Sequence, residues 1–210
     1  MECKVVLASK SPRRKQLLEQ IGVEFDIWPS TCEEITQKSL PEEVCVELCK
    51  LKAMDVASQI KTYQEEHPEL VTPQDILVIG ADTIVSCEGE ILGKPHDEAD
   101  AKKMLCQLSD NMNSVYTGVC FIFISKDGRA GEYSFYEKTD VYFYPIPEDD
   151  IDKYIESGEP MDKAGAYGIQ GVLAKFVKSV DGDFYNVVGL PLSRIWHELS
   201  KLGIVCYNSK

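Results

Sequence analysis

The sequence predicts a mixed α/β fold, in which a twisted sheet of parallel and antiparallel strands carries helices on its flanks. Strand-like and helix-like segments intermingle along the chain without the strict alternation of a purely parallel sheet. With 44% hydrophobic and 27% charged residues among 210, the composition is that of an ordinary globular protein. No internal repeat or obvious linker divides the chain, so we expect one domain over residues 1–210, large enough for two small lobes that share a cleft.

The N-terminal elements are a strand, a capped helix and a second strand. Lys4–Ser9 is a short apolar run typical of a buried strand. Ser11 then offers an N-cap, Pro12 takes the first helical position, and Gly22 ends the helix. Apolar residues alternate over Val23–Ile27, which predicts the second strand.

The following segments predict a long helix and the centre of the sheet. We expect the helix over about Pro41–Gln59 and a polar loop over Lys61–Gln74. Ile76–Ile79 is a run of apolar residues that favours a central strand ending just before Asp82. The Glu88-Gly89 pair predicts a turn into a short returning strand.

The C-terminal half predicts three helices and four strands. Asp97 is placed to cap the first of these helices. The other two helices are expected over Pro147–Ser157 and Leu190–Leu202. The strands are expected at about Ser114–Ile124, Tyr133–Tyr144, Val172–Val180 and Phe184–Val188. A hairpin turn at Asp181-Gly182 would join the last two strands.

Charge and hydropathy exclude several classes of partner. The net charge of −13 argues against a nucleic-acid polymer, because such a partner requires a basic footprint. A small anion is still compatible, since a few cations can cluster inside an acidic surface. No stretch approaches the roughly 18–20 apolar residues of a membrane helix, and no signal peptide is visible. We therefore expect a cytoplasmic protein without a membrane partner.

The eight cysteines show no C-x-x-C pair, and the three histidines lack metal-ligand spacing. Reduced thiols with a structural role, from Cys3 to Cys206, are therefore the expectation, rather than zinc ligands or disulfides.

The segment from Ser9 to Arg14 lies where a strand passes into a helix N-terminus. Free N–H groups and the helix dipole favour an anion there. Arg13 and Arg14 can add bidentate hydrogen bonds to phosphate oxygens. The alternative is an ordinary capped helix with two solvated arginines.

Several further charged residues are candidates for chemistry. Asp82 could hold a divalent cation or accept a proton from water, or it could cap a turn. Lys94 could neutralise a phosphate, although a solvated turn lysine is the more common outcome. Glu34, next to Glu33, could be a metal ligand, or part of a solvated acidic loop. Lys52 is expected to be exposed on its helix.

A glycine-rich segment, Ser157–Gly171, is expected to recognise a ligand, because such a loop is costly to order. Gln170 in this segment carries an amide suited to the edge of a nucleobase. The alternative is a flexible tether, but the tyrosine and isoleucine of the segment argue against it.

Taken together, these motifs resemble the Maf family of nucleotide pyrophosphatases, including the Maf domain of the acetylserotonin methyltransferase-like proteins. The resemblance covers nearly the whole chain, through seven motifs in order: LASKSPRR, VIGADTIV, ILGKP, YTGV, YEKTDVYF, SGEPMDKAGAYGIQG and NVVGLPL. It implies two lobes around a central cleft, a relation to the inosine-triphosphate pyrophosphatases, and a homodimer. The implied reaction hydrolyses a nucleoside triphosphate to the monophosphate and pyrophosphate with Mg²⁺ or Mn²⁺.

The resemblance also implies roles for individual residues. Those implied to bind the phosphates are Ser9, Arg13 and Arg14. Those implied to line the reaction centre are Glu34, Lys52, Asp82 and Lys94. Asp82 would accept the proton of water and, with Glu34, position the cation. Arg13, Thr83 and Gln170 match the branch that prefers dTTP and UTP, which favours pyrimidine triphosphates, including modified ones.

Two alternatives from other functional classes stay open. The first is a nucleotide sensor that regulates cell division without hydrolysis. The presence of Asp82 and Lys94 favours catalysis over this, because a sensor needs no base. The second is a protein-binding module built on the tyrosine-rich strands, although core and dimer packing is the expected use of those rings. The tyrosines concerned are Tyr133, Tyr136, Tyr142 and Tyr144.

Overall fold

The computed structural model describes residues 3–70 and 74–204; Cys206 and part of the predicted loop Lys61–Gln74 lie outside the described residues. Within these ranges, the strands of the sheet are β1 (Lys4–Leu7), β2 (Phe25–Ile27), β3 (Ile76–Cys87), β4 (Glu90–Leu92), β5 (Met112–Ile124), β6 (Ala130–Phe143) and β7 (Val177–Asp181). The α-helices are α1 (Pro12–Gln20), α2 (Pro41–Glu66), α3 (Glu98–Leu108), α4 (Glu148–Glu156), α5 (Phe184–Val188) and α6 (Leu192–Lys201). None of these helices is both long and apolar enough to cross a membrane.

The described strands form one sheet in the order β2-β1-β3-β5-β6-β7, with β4 pairing to β3 off this path. The β1 strand runs parallel to β2 and β3, whereas β5 pairs antiparallel with both β3 and β6. A tight turn between β5 and β6 permits this pairing, because Gly128 adopts a φ of +81°. The predicted mixed α/β fold with flanking helices is confirmed.

One edge of β3 has no strand partner over residues 80–84 within the described chain. The β5 strand pairs with the opposite edge along nearly the whole of β3. On the first edge, β1 pairs only as far as Ile79, and β4 pairs only from Val85 onward. We call this interval the β3 gap. The chain leaves β1 through Ser9 and leaves β4 towards Lys94, and both departures lie beside the gap.

The sheet divides the apolar core into two unequal parts. On one face, α2 covers β3 and β5 and packs against side chains such as Val78. On the opposite face, α1, α3, α4 and α6 form the larger part against side chains such as Leu77. Because successive side chains of a strand alternate between faces, Asp82 lies on the α2 face and Thr83 on the opposite one.

Two glycines allow α2 to approach the sheet closely. A Cβ atom at Gly80 would lie 2.5 Å from the carbonyl oxygen of Cys49. One at Gly118 would lie 2.3 Å from the carbonyl oxygen of Cys45. Both oxygens belong to the helix backbone, which cannot move aside as a flexible side chain can. The missing Cβ atoms therefore set the distance between α2 and the strand that carries Asp82.

The α2 helix continues to Glu66, so the prediction of a loop beginning at Lys61 was wrong. Ile60 is only 4% exposed. Tyr63 packs edge-on against Trp28, with ring centroids 5.9 Å apart. The polar composition of this stretch hid apolar contacts at helical spacing, and these contacts stabilise the extra turns.

The predicted strand Phe184–Val188 is instead the short helix α5, so the predicted hairpin at Asp181-Gly182 does not form. The carboxylate of Asp183 caps the helix by accepting a hydrogen bond of 2.8 Å from the N–H of Tyr185. The preceding strand, predicted over Val172–Val180, is only partly confirmed. Val172–Phe176 forms a 3-10 turn, and the strand β7 begins after it. Aromatic and β-branched residues indicated strands here, but local capping overrode that preference.

Three of the buried thiols lie where α2 meets the sheet. Cys45, Cys49 and Cys120 are each 0% exposed, and burial raises the pKa of Cys45 and Cys120 to about 12. They pack as small apolar side chains, in agreement with the expected structural role.

Candidate active site

Charged side chains from four segments converge beside the β3 gap. Asp82 comes from β3, Lys52 from α2, Arg14 from the first turn of α1, and Glu34 from the irregular segment between β2 and α2. Burial lowers the pKa of the Arg14 guanidinium, while the carboxylates of Asp82 and Glu34 act in the opposite direction. Arg14 reaches this part of β3 through its hydrogen bond to Thr83, the residue that follows Asp82.

Lys52 joins two carboxylates. Its Nζ lies 2.6 Å from Oδ1 of Asp82 and 2.9 Å from Oε2 of Glu34. The side chain of Lys52 is 12% exposed, whereas that of Glu34 is 53% exposed. The prediction that Lys52 is exposed was wrong, because α2 lies flat on the sheet and turns this side chain inward. The Lys52–Asp82 ion pair is therefore shielded from water, and its electrostatic attraction is stronger than that of a surface pair.

Asp82 lies within β3 rather than after its end, which corrects the predicted position. The strand continues as far as Cys87 because its second half pairs with β4 and β5. The residue is 8% exposed. It is nevertheless placed beside an open sheet edge, because β1 has already separated from β3 at Ile79.

Arg14 is fixed by three hydrogen bonds. It donates from Nε to the carbonyl oxygen of Gly189 (2.9 Å), from Nη1 to Oγ of Ser9 (3.3 Å) and from Nη2 to Oγ1 of Thr83 (3.0 Å). Ser11 caps α1 by accepting from the N–H of Arg14 through its side-chain oxygen, as predicted. These hydrogen bonds bring Ser9, Arg14 and Thr83 together.

A chain of hydrogen bonds extends from Arg14 into the core. The hydroxyls of Thr83 and Thr117 lie 3.0 Å apart, and Thr117 donates to the carbonyl oxygen of Asn186. Sequence reasoning assigned no role to Thr117, Asn186 or Gly189. Only their position within the YTGV and NVVGLPL motifs pointed to them, because a backbone carbonyl acceptor has no residue signature.

The glycine-rich segment is ordered by its own contacts. Lys163 donates to the carbonyl oxygen of Glu159 (2.6 Å) and to the carboxylate of Asp162 (2.7 Å). Tyr167 is only 6% exposed. A weak, exposed ion pair of 3.9 Å connects Asp162 to Arg13. The segment is therefore not a flexible tether, and it reaches the N-terminus of α1.

Lys94 and Gln170 lie outside the contact network. Lys94 is exposed and lines a cavity of about 230 Å³ between β4 and α3, together with His96 and Lys103. Lys94 follows β4, two residues after the last β3–β4 pair, which is Val85 with Leu92. Within the described chain, neither Lys94 nor Gln170 makes a side-chain hydrogen bond or ion pair.

Comparisons with known proteins give a consistent family. The family model described as Maf-like protein matches residues 4–202. A protein named dTTP/UTP pyrophosphatase from Agathobacter rectalis is 60% identical over 200 residues, which cover 95% of this chain and 98% of that protein. Another of the same name, from Lachnoclostridium phytofermentans, is 44% identical over 200 residues, which cover 95% of each chain.

A solved structure of a HAM1 protein from Coxiella burnetii aligns with a TM-score of 0.46 at 13% identity, covering 95% of this chain and 99% of that one. The family model, by contrast, spans almost all of the described residues, and both sequence relatives match over nearly their full length. This chain therefore belongs to the Maf family.

Proposed function

We propose that this chain is a nucleoside triphosphate pyrophosphatase that converts dTTP, UTP and modified pyrimidine triphosphates to the monophosphate and pyrophosphate in the cytoplasmic nucleotide pool. The observation that carries the proposal is that the Lys52–Asp82 ion pair and the Arg14–Thr83 hydrogen bond lie at neighbouring residues of β3, beside the β3 gap. The cations can hold a polyanionic tail within an acidic chain, and the carboxylate can act as a base. Two Maf relatives are named for this activity.

The phosphates would bind at the N-terminus of α1. A guanidinium has five N–H donors, of which Arg14 uses three within the protein; the remaining two can face phosphate oxygens. Among the described residues, Arg13 is held only by its weak pair with Asp162, so it is able to turn towards an anion. Pro12 has no N–H and the N–H of Arg14 is bonded to Oγ of Ser11, so at the helix N-terminus the N–H of Arg13 adds a further donor.

In the proposed reaction, the oxygen of a water molecule bonds to the α-phosphorus while the bond to the α–β bridging oxygen breaks, and pyrophosphate leaves. Asp82 accepts the proton of this water through Oδ2, for which the described residues provide no hydrogen-bond donor. Its Oδ1 stays bonded to Lys52. Lys52 and Lys94 stabilise the charge that gathers on the phosphate oxygens.

The same site fits a divalent cation, Mg²⁺ or Mn²⁺. Magnesium is usually held by one or two carboxylates together with substrate phosphates. Asp82 and Glu34 supply two carboxylates on either side of Lys52. The described residues contain no group of three His, Cys, Asp or Glu that could hold a metal, so the nucleotide would complete the ligand set. The bound cation would polarise the phosphoryl group.

We also propose a homodimer. Tyr136 and Tyr142 of β6 are 46% and 37% exposed, and Tyr144 is 51% exposed. Of the two uses expected from the sequence, packing in the core does not apply to these exposed rings, and aromatic side chains are enriched at protein interfaces. Sedimentation equilibrium of the wild type and of a Tyr136→Ser, Tyr142→Ser variant tests this; a wild-type monomer would refute it.

Replacing Gln170 with Ala is expected to change the ranking of bases more than the rate on the best substrate. The amide is exposed and unbonded in the described chain, so it is available to a nucleobase edge. The ratio of kcat/KM for UTP over CTP should fall about three- to tenfold, as loss of one or two hydrogen bonds predicts.

Gln74→Ala is the control for this variant. Gln74 is also exposed, and it lies just before β3, at the end of the strand away from the β3 gap. Its substitution should change neither the rate nor the ranking of bases. A Gln170→Ala protein with a lower kcat and an unchanged ranking would contradict the assignment.

The function itself is tested with a panel of nucleoside triphosphates and Mg²⁺ or Mn²⁺, by assaying pyrophosphate and orthophosphate separately. Release of pyrophosphate with the monophosphate, fastest for dTTP and UTP, is the expected result. Release of orthophosphate with the diphosphate would replace the proposal by another hydrolase. Tight binding without any product would favour the nucleotide sensor.

A further inference from the structure

Glu34 lies in a segment without regular secondary structure. This segment connects β2 to α2, and it is exposed: the side chain of Ile35 is 67% exposed and that of Glu34 is 53% exposed. A carboxylate on such a segment would normally sample many positions. Because Glu34 meets the nearly buried Lys52 at 2.9 Å, other contacts have to fix the backbone around it.

Asp55 supplies most of these contacts. It follows Lys52 by three residues on α2, so both side chains leave the same side of the helix. Its Oδ2 accepts hydrogen bonds from Oγ of Ser30 (2.8 Å), from the N–H of Thr31 (2.7 Å) and from the N–H of Cys32 (3.2 Å). One carboxylate oxygen of Asp55 therefore fixes the position of three successive residues that precede Glu34.

Further hydrogen bonds hold Asp55 and the segment around Glu34 in place. Gln59 donates to Oδ2 of Asp55 at 2.9 Å, and its own oxygen accepts from Nε1 of Trp28 at 2.8 Å. On the far side of Glu34, the hydroxyl of Thr36 donates to the carboxylate of Glu47, which also belongs to α2. The segment is thus tied to α2 both before and after Glu34.

We propose that Asp55 is a positioning residue that holds Glu34 against Lys52 at the reaction centre. This proposal rests on the proposed function, because a fixed Glu34 matters only if it helps to position the cation and the phosphates. Asp55 touches none of the reacting groups. It acts by ordering the backbone of Ser30–Cys32, in the way that residues behind a ligand orient the ligand itself.

A double-mutant cycle between Asp55→Ala and Glu34→Ala tests this. Turnover of UTP and the affinity for a non-hydrolysable α,β-methylene triphosphate with Mn²⁺ are both measured. We expect Asp55→Ala to lower turnover about 10- to 100-fold, as loss of an orienting residue does. In the Glu34→Ala background, Asp55→Ala should have no further effect on either quantity, because it acts only through Glu34.

Hydrogen exchange supplies a readout that does not depend on activity. The amides of Thr31 and Cys32 should lose protection in Asp55→Ala but keep it in Glu34→Ala. Asp55→Asn should retain most turnover, because a neutral oxygen can still accept from the segment. Glu65→Ala, which breaks a surface ion pair with Lys61 on the same helix, should leave turnover and exchange unchanged.

Additive effects of Asp55→Ala and Glu34→Ala would overturn the proposal, as would Asp55→Ala with unprotected amides and full turnover. A wild-type chain that releases no pyrophosphate would instead defeat the proposed function. The double-mutant cycle would then be evaluated by the affinity for the triphosphate alone. Asp55→Ala should again have no further effect on this affinity in the Glu34→Ala background.

Discussion

An Asp82→Asn protein is expected to fold and to lose about 10²–10⁴-fold of its turnover, the range typical of a missing general base. Asparagine keeps the shape of the side chain but cannot take the proton of the attacking water. It also replaces a charged partner of Lys52, which is still bonded to Glu34. The stability should therefore fall by only about 1.5–3 kcal/mol, measured by urea unfolding alongside turnover.

Asp26→Asn is the matched control for this variant. Asp26 forms an exposed ion pair with Lys4 on the same sheet, so its loss should change neither stability nor turnover appreciably. An Asp82→Asn protein with near-normal turnover would defeat the assignment of Asp82 as base, whatever its stability.

Gly118→Ala is expected to reduce stability and activity together. Its Cβ would lie 2.3 Å from the carbonyl oxygen of Cys45 in α2, and neither backbone can yield without moving the helix. Overpacking typically costs about 1–3 kcal/mol, and we expect a value at the upper end of that range here. Lys52 lies further along α2 on the same side as Cys45, so it would move away from Asp82. A shift of about 1 Å can lower turnover about 100-fold.

Gly131→Ala provides the comparison for Gly118→Ala. Gly131 lies in β6 of the same sheet, and a Cβ there would meet no atom within 4 Å. Its substitution should leave turnover unchanged. Equal stability of Gly118→Ala and wild type, by urea unfolding, would show that the close approach of α2 does not determine the geometry of the site.

The order of elements could be predicted because their signals are local. Apolar runs mark β1 and β3, and Ser11 and Asp97 cap helices as their sequence positions indicate. Two of the errors fall where distant contacts or local capping decide the structure. The end of α2 depends on the packing of Tyr63 against Trp28, and α5 depends on capping by Asp183 at a point where strand-forming residues follow.

The residue types of the site could also be predicted, but their environment could not. A lysine on a helix is usually solvated, and Lys52 is nearly buried only because Gly80 and Gly118, distant in sequence, admit the helix to the sheet. The open edge of β3 depends on where β1 and β4 stop pairing, which no local pattern reveals. The anchoring of Glu34 by Asp55 likewise requires the three-dimensional arrangement.

The most direct measurement is hydrolysis of UTP in water enriched in ¹⁸O, followed by mass spectrometry of both products. If Asp82 directs water to the α-phosphorus, the label enters the monophosphate and the pyrophosphate remains unlabelled. Label in the pyrophosphate would place the attack on the β-phosphorus. That result would contradict the arrangement of base, cations and substrate proposed for the β3 gap.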